Sequence, residues 1–205
     1  MIHNFFDSSR FNPNSQACKR RTFAEDNEFV IAHISNFRPV KRIIDVIDIF
    51  DKINKILPSK LLLVGEGPDA ILARRQVNKK SLTDRVIFLG NQDRVEAILP
   101  LADLFLLPSE EESFGLAALE ALACGLPVIG TSGTGLVEVV EEGVNGFLFP
   151  VGDTSGMAAA GIELLSDKKR LSEFKEAAHT LASERFRDDK IIPQYESYYQ
   201  RILYG

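Results

Sequence analysis

Cysteine is scarce. The 205 residues hold only Cys18 and Cys124, far apart and in neither a metal-ligand nor a C-x-x-C spacing, so reduced thiols in a cytoplasmic protein are expected rather than a disulfide framework. Long apolar runs are missing too. No stretch approaches the length of a membrane span, and the opening MIHNFFDSSRF lacks the charged-then-apolar plan of a signal peptide. Excess positive charge is also absent: 24 Lys and Arg against 29 Asp and Glu leave a net charge of -5. Neither nucleic acid nor an anionic membrane is drawn to such a surface. There is no D-x-D pair for a divalent cation, no internal repeat and no low-complexity tract. What is present, 45% hydrophobic and 26% charged residues, suits a soluble chain long enough to bury a real core.

Residues 1–28 are polar and irregular and read as a linker or wrapping segment rather than core. From Phe29 onward short apolar runs recur, FVIAHI, KLLLVG, RVIFLG, DLFLLP, LPVIG and GFLF. Runs without polar alternation indicate strands covered on both faces. Helical spacing lies between them, as in VKRIIDVIDIFDKINKIL with its stripe of Ile43, Val46, Ile47, Phe50, Ile53 and Leu57. Strand then helix, repeated, predicts an α/β fold: a doubly wound parallel sheet of about six strands over residues 29–186. Three helical segments close the chain, TSGMAAAGIELLS, KKRLSEFKEAAHTLASERF and KIIPQYESYYQRILYG. In the last, Tyr195, Tyr198, Tyr199 and Ile202 form an apolar stripe.

Ligands of doubly wound sheets bind beyond the carboxyl ends of the strands. After the fourth run, in LLPSEEESFGLAALEALACGLPVIG, Glu112 lies in the loop and Ser113 reads as an N-cap, with Phe114, Gly115 and Leu116 opening a helix. The free N–H groups and positive end of that helix suit an anion such as a diphosphate. Glu120, two turns in, can accept two hydrogen bonds from a ribose diol, and Glu112 can do the same for sugar hydroxyls. After the first run, HISNFRPVKR places Arg38, Lys41 and Arg42 at a strand end, able to neutralise a diphosphate without a metal. In LLLVGEGPDA, Gly65 and Gly67 allow close backbone approach to a planar ligand, and Pro68 suits a first helical position. That turn also satisfies G-x-G-x-x-A, but a dinucleotide fingerprint follows the first strand of its domain and leads to a strand ending in an acidic residue. Asp84 precedes a strand instead. Gly133 and Gly135 offer a flexible turn and Asn145-Gly146 a tight one, while Thr134 reads as plain loop. His33, within an apolar strand, reads as a satisfied core histidine.

The whole phrase from Glu112 to Glu120, with F-G between the two glutamates and A-C-G-x-P-V-I behind them, resembles the signature of the family-4 retaining glycosyltransferases. HISNFRPVKR further resembles the group within it that makes N-acetylglucosaminyl L-malate for bacillithiol. The resemblance extends from N-F-F-D near the start to the Q-Y-E-x-x-Y helix. It implies one half of a two-domain GT-B enzyme: the C-terminal half, which holds a UDP-sugar donor, with no cofactor and no obligatory metal. The implied reaction transfers N-acetylglucosamine from UDP-N-acetylglucosamine to L-malate with retention at the anomeric carbon. Arg38, Lys41 and Glu112 are the implied catalytic residues. Asn36, Gly65, Gly67, Asn91, Gln92, Ser113, Phe114, Gly115, Leu116 and Glu120 are the implied donor contacts, those beside the base made by backbone. The family shows an arginine five residues before its lysine. Here that place holds Asn36, with Arg38 two positions on, and either can take the arginine's role. A family G-G-x-P-E motif is met only in part, with Thr134 and Val137 departing from it and Glu138 fitting.

The acceptor pocket of such an enzyme belongs to an N-terminal domain outside these residues, so the chain alone is expected to be inactive. Residues 187–205 would cross to that domain, or pack on another copy of the chain as a homo-oligomer. A related GT-B enzyme with another donor and acceptor, or a nucleotide-sugar-binding module without catalysis, are the alternatives.

Overall fold

The computed structural model describes residues 2–14 and 19–204, so Cys18 lies outside the described residues. Six strands form one sheet: β1 (Phe29–Ile34), β2 (Ser59–Val64), β3 (Val86–Gly90), β4 (Leu104–Leu107), β5 (Val128–Thr131) and β6 (Gly146–Phe149). Every neighbouring pair is parallel and the spatial order is β3-β2-β1-β4-β5-β6. The order reverses between β1 and β4, so the loops leaving those strands diverge and a crevice opens between them.

Successive strand side chains point to opposite faces. Val30, Ala32, Leu62, Val64, Phe105 and Leu107 enter one core cluster, while Ile31, Leu61, Leu63, Leu104, Leu106 and Ile129 enter the other. Both faces are covered, which is why the strands read as unbroken apolar runs. The helices are α1 (Ile43–Asn54), α2 (Ala70–Lys79), α3 (Leu116–Ala123), α4 (Thr154–Ser166), α5 (Lys168–Arg185) and α6 (Asp188–Tyr204). Against one face lie α1, α2 and α4; against the other lies α3. Helix α5 serves both, through Leu171 and Phe174 on one side and Ala178 and Ala182 on the other. Asp153 and Asp167 cap α4 and α5, accepting from backbone N–H groups at 2.9 and 3.0 Å, where a carboxylate also meets the positive helix end.

The structure corrects the sequence reading at three places and adds to it at a fourth. Residues 2–14 and 19–28 do wrap the domain, but they also enter its core: Phe6, Phe11 and Ala24 are buried. The segment is fastened by Arg10 to Glu96 at 2.9 Å and Arg20 to Asp103 at 2.6 Å. The first helix does not run from Val40; Pro39–Lys41 form a 3-10 turn and Arg42 takes a left-handed conformation, φ 51°, before α1 begins. Pro68 lies ahead of α2, whose N-cap is Asp69. In α6 only Ile191 is buried, and the apolar stripe is uncovered among the described residues, with Tyr198, Tyr199 and Ile202 at least half exposed.

Candidate functional site

Two adjoining cavities of about 420 and 400 Å³ occupy the crevice where the strand order reverses. Asn36, Lys41, Glu112 and Ser113 line both. Arg38 lines the first with Val40, Gly133 and Thr134; Phe114, Gly115 and Leu116 line the second with Asn4.

Three loops build this place and are stitched together by backbone. The Glu110 N–H donates to Val40 O at 2.8 Å, joining the loops after β1 and β4, and Gly135 N–H donates to Glu112 O at 2.7 Å, joining the loop after β5. At Gly135 an added Cβ would lie 2.3 Å from Ser113 O, so that glycine answers to close packing rather than flexibility. Thr134 accepts from Leu136 N–H at 3.3 Å and donates to Thr131 O at 3.1 Å, so its side chain braces the loop that borders the first cavity.

Helix α3 aims its start at the second cavity. The expected cap at Ser113 is not formed. Gly115 occupies the N-cap position with φ 89°, and no side chain caps the helix. Only glycine takes that left-handed conformation without steric cost, which a serine at the same place would meet. The first N–H groups of α3 therefore stay open to a ligand. Leu116, at the first helical position, is about half exposed, whereas the ring of Phe114 packs edge-on against Phe186 in the core, with centroids 5.8 Å apart.

The cations differ in commitment. Lys41 Nζ donates to Glu112 Oε1 at 2.5 Å in a pair whose side chains are 20% and 11% exposed. Arg42 is held by Asp45 at 2.7 Å, with Glu110 at 3.6 Å, so it is not available to a ligand as the sequence suggested. Among the described residues Arg38 makes no ion pair, and it is exposed on the rim of the first cavity. Asn36 lines both cavities, so residues at either end of the short N-F-R stretch reach the crevice.

The remaining candidates lie apart. Gly65, Gly67, Asn91, Gln92 and Glu120 line neither cavity. Gly65 N–H donates to Gly90 O at 2.8 Å, so the turns after β2 and β3 form a continuous shelf beside the crevice. The two glycines are demanded by the protein itself: an added Cβ would fall 1.8 Å from Ser35 O at Gly65 and 1.8 Å from Asn36 O at Gly67. The close approach read as a ligand's is made first by the loop after β1. Glu120 sits beneath Leu116 on α3, where burial raises its carboxyl pKa to about 7, opposed by the charge of Arg10 and reinforced by Glu96. His33 is fully buried between Leu106 O and Ser35 Oγ, each at 2.8 Å, and burial lowers its pKa to about 4, so it is the satisfied core residue expected. Asn4 and Ser109 were not singled out beforehand. Asn4 stands within N-F-F-D, part of the stretch carrying the resemblance, but nothing local marks Ser109 as different from any loop serine.

Among the described residues no group of His, Cys, Asp and Glu could hold a metal ion, and no helix is long and apolar enough to cross a membrane. An open helix start, an arginine without an ion pair among the described residues and a carboxylate meet at the topological switch point of a doubly wound domain, the place where ligands of such sheets bind. The chain belongs to the glycosyl transferases group 1, matching that family over residues 15–180. It is 43% identical over 203 residues to an N-acetyl-alpha-D-glucosaminyl L-malate synthase of Bacillus anthracis, covering 98% of this chain and 53% of that protein. It superposes with TM-score 0.87 at 27% identity on the crystal structure of Anabaena Alr3699/HepE in complex with UDP and glucose, covering 97% of this chain and 56% of the other. It also shares the fold of the C-terminal domain of a glycosyl transferase group 1 family protein, LpcC, from Francisella tularensis, with TM-score 0.80 and 20% identity over 89% of this chain and 99% of that one. The fold is thus one half of a GT-B glycosyltransferase, as the resemblance implied, and the chain spans about half the length of the synthase it matches.

Proposed function

We propose that this chain is the donor-binding half of a glycosyltransferase that moves N-acetylglucosamine from UDP-N-acetylglucosamine to L-malate. One observation carries the reading. Arg38, Lys41 and the uncapped start of α3 face the same crevice as Glu112, so cationic and hydroxyl-binding groups converge at the strand ends of β1 and β4. The identity to the Bacillus anthracis synthase along nearly the whole chain supplies the choice of donor and acceptor, and the Anabaena complex supports a uridine nucleotide in this fold.

In this reading the diphosphate lies across the start of α3 and is neutralised by Arg38 and Lys41. These preplaced cations stabilise the charge that grows on UDP as the sugar departs. Glu112 orients the sugar hydroxyls and Glu120 the ribose diol, contributing position rather than proton transfer. The shelf of Gly65, Gly67, Asn91 and Gln92 borders the base. No metal or cofactor enters the scheme. L-Malate would be held by the N-terminal half, towards which residues 187–205 would cross, and a cytoplasmic setting keeps the buried Cys124 thiol reduced.

Calorimetric titration with UDP, UDP-N-acetylglucosamine and UDP-glucose tests it. UDP and UDP-N-acetylglucosamine should bind, the latter in preference to UDP-glucose, and the chain alone should not glycosylate L-malate. No heat with any uridine nucleotide would sink the reading, and preference for another sugar would move it to a related GT-B enzyme.

A further inference from the structure

The Glu112 carboxylate is not free to turn. Its Oε1 accepts two hydrogen bonds, from Lys41 Nζ at 2.5 Å and from Ser109 Oγ at 3.0 Å. Its Oε2 has no partner among the described residues, and no buried side-chain oxygen is left without one. Oε2 is therefore not buried, on a residue that lines both cavities. Ser109 is fully buried, and its carbonyl takes the hydroxyl of the equally buried Thr131 at the end of β5. The serine is thus fixed to the sheet, while lysine reaches Glu112 on a flexible four-carbon stem.

We infer that Ser109 is a positioning residue for sugar recognition: it holds Glu112 by Oε1 so that Oε2 faces the donor sugar when the diphosphate draws Lys41 away. This rests on the donor-binding reading. A diphosphate competes with Glu112 for the Lys41 ammonium, and a carboxylate released by its lysine would swing unless something else held it. Ser109 is the other group bonded to Oε1. Its contribution appears in the sugar part of the ligand and not in UDP.

The test is the ratio of UDP-N-acetylglucosamine affinity to UDP affinity, measured by calorimetry on this chain. Ser109→Ala should leave UDP binding within about twofold while lowering the ratio about tenfold, the effect of losing one hydrogen bond to a charged group. In a Glu112→Ala background the same substitution should add no further loss, because the two residues act as one unit. An unchanged ratio, or an equal drop with and without Glu112, overturns the assignment. Should the alanine variant lose its cooperative melt, Ser109→Cys keeps the volume with a weaker donor. It should lower the ratio by less, and an unchanged ratio there also overturns the assignment. Failure of the parent chain to bind any uridine nucleotide strikes at the donor reading itself and is seen before any variant is made.

Discussion

Replacing Gly67 with alanine tests whether the shelf after β2 holds the loop after β1 in place. The new Cβ would lie 1.8 Å from Asn36 O and 2.8 Å from its carbonyl carbon, whereas real contacts of this kind essentially never fall below 3.0 Å. One of the two backbones must retreat by at least 1.2 Å, the difference between 1.8 and 3.0 Å. No flexible side chain is there to absorb the shift. The Asp69 N–H to Phe37 O bond, 3.0 Å long, spans the same gap and should be lost with it. Overpacking of this kind costs about 1–3 kcal/mol, which for a domain of this size lowers the melting temperature by about 3 to 10 °C. The loop that moves carries Asn36, Arg38 and Lys41, so UDP affinity should fall about tenfold or more, since misplacement by 1 Å is enough to lose an oriented contact. Scanning calorimetry and UDP titration read the two effects. Gly143→Ala is the control: its φ of +74° strains an alanine, but nothing lies within 4 Å. It should lower stability by about 1 kcal/mol and leave UDP binding alone. A Gly67→Ala chain that melts and binds like its parent would refute the reasoning.

Lys41→Ala should weaken UDP about tenfold to a hundredfold, the worth of a charge-assisted hydrogen bond, and change uridine little; equal losses for both ligands in titration would count against the phosphate assignment. Burial raises the Glu120 pKa to about 7, and only the ionised form accepts two ribose hydroxyls. Uridine affinity should therefore rise from pH 6 to pH 8 and become flat in Glu120→Gln; a flat profile in the parent contradicts the ribose role. His33 presents the opposite titration: burial lowers its pKa to about 4, so the unfolded chain takes up the proton first, and the stability present above pH 6.5 is lost as pH falls towards 4. The shift corresponds to about 3 kcal/mol. Urea unfolding of His33→Gln should gain on the parent progressively across that window, and a constant difference would show that the imidazole is not held neutral.

The strands were legible because the inner ones are buried on both faces and the edge strands β3 and β6 are partly covered, so the apolar run itself is the signal. The start of α3 was not. Ser113 stands before a helix in a place that favours a cap, yet Gly115 accepts a left-handed turn no serine takes easily, and the helix begins one residue later. The wrapping segment defeated the pattern for another reason. Phe6 and Phe11 are aromatics in a polar stretch with no period, and their burial depends on contacts far along the chain, Phe6 N–H donating to Phe186 O at 3.1 Å. At the site, residue types pointed to Lys41 and Glu112 separately, but their pairing across 71 positions is a product of the β1 and β4 ends meeting. The need for glycine at Gly65 and Gly67 is legible, but one of its causes is not: backbone does come close, and it is the chain's own loop after β1.

Phe6 bridges Arg187 in parallel, its N–H donating to Phe186 O and its carbonyl accepting from Asp188 N–H at 3.2 Å. Tyr195 Oη reaches His3 O at 3.4 Å farther along. Residues 2–11 and the end of α5 with the start of α6 therefore form a two-ply strap across one end of the domain. Because Asn4 lies in the same strap and lines the second cavity, the strap ties the junction of α5 and α6 to the wall of the crevice.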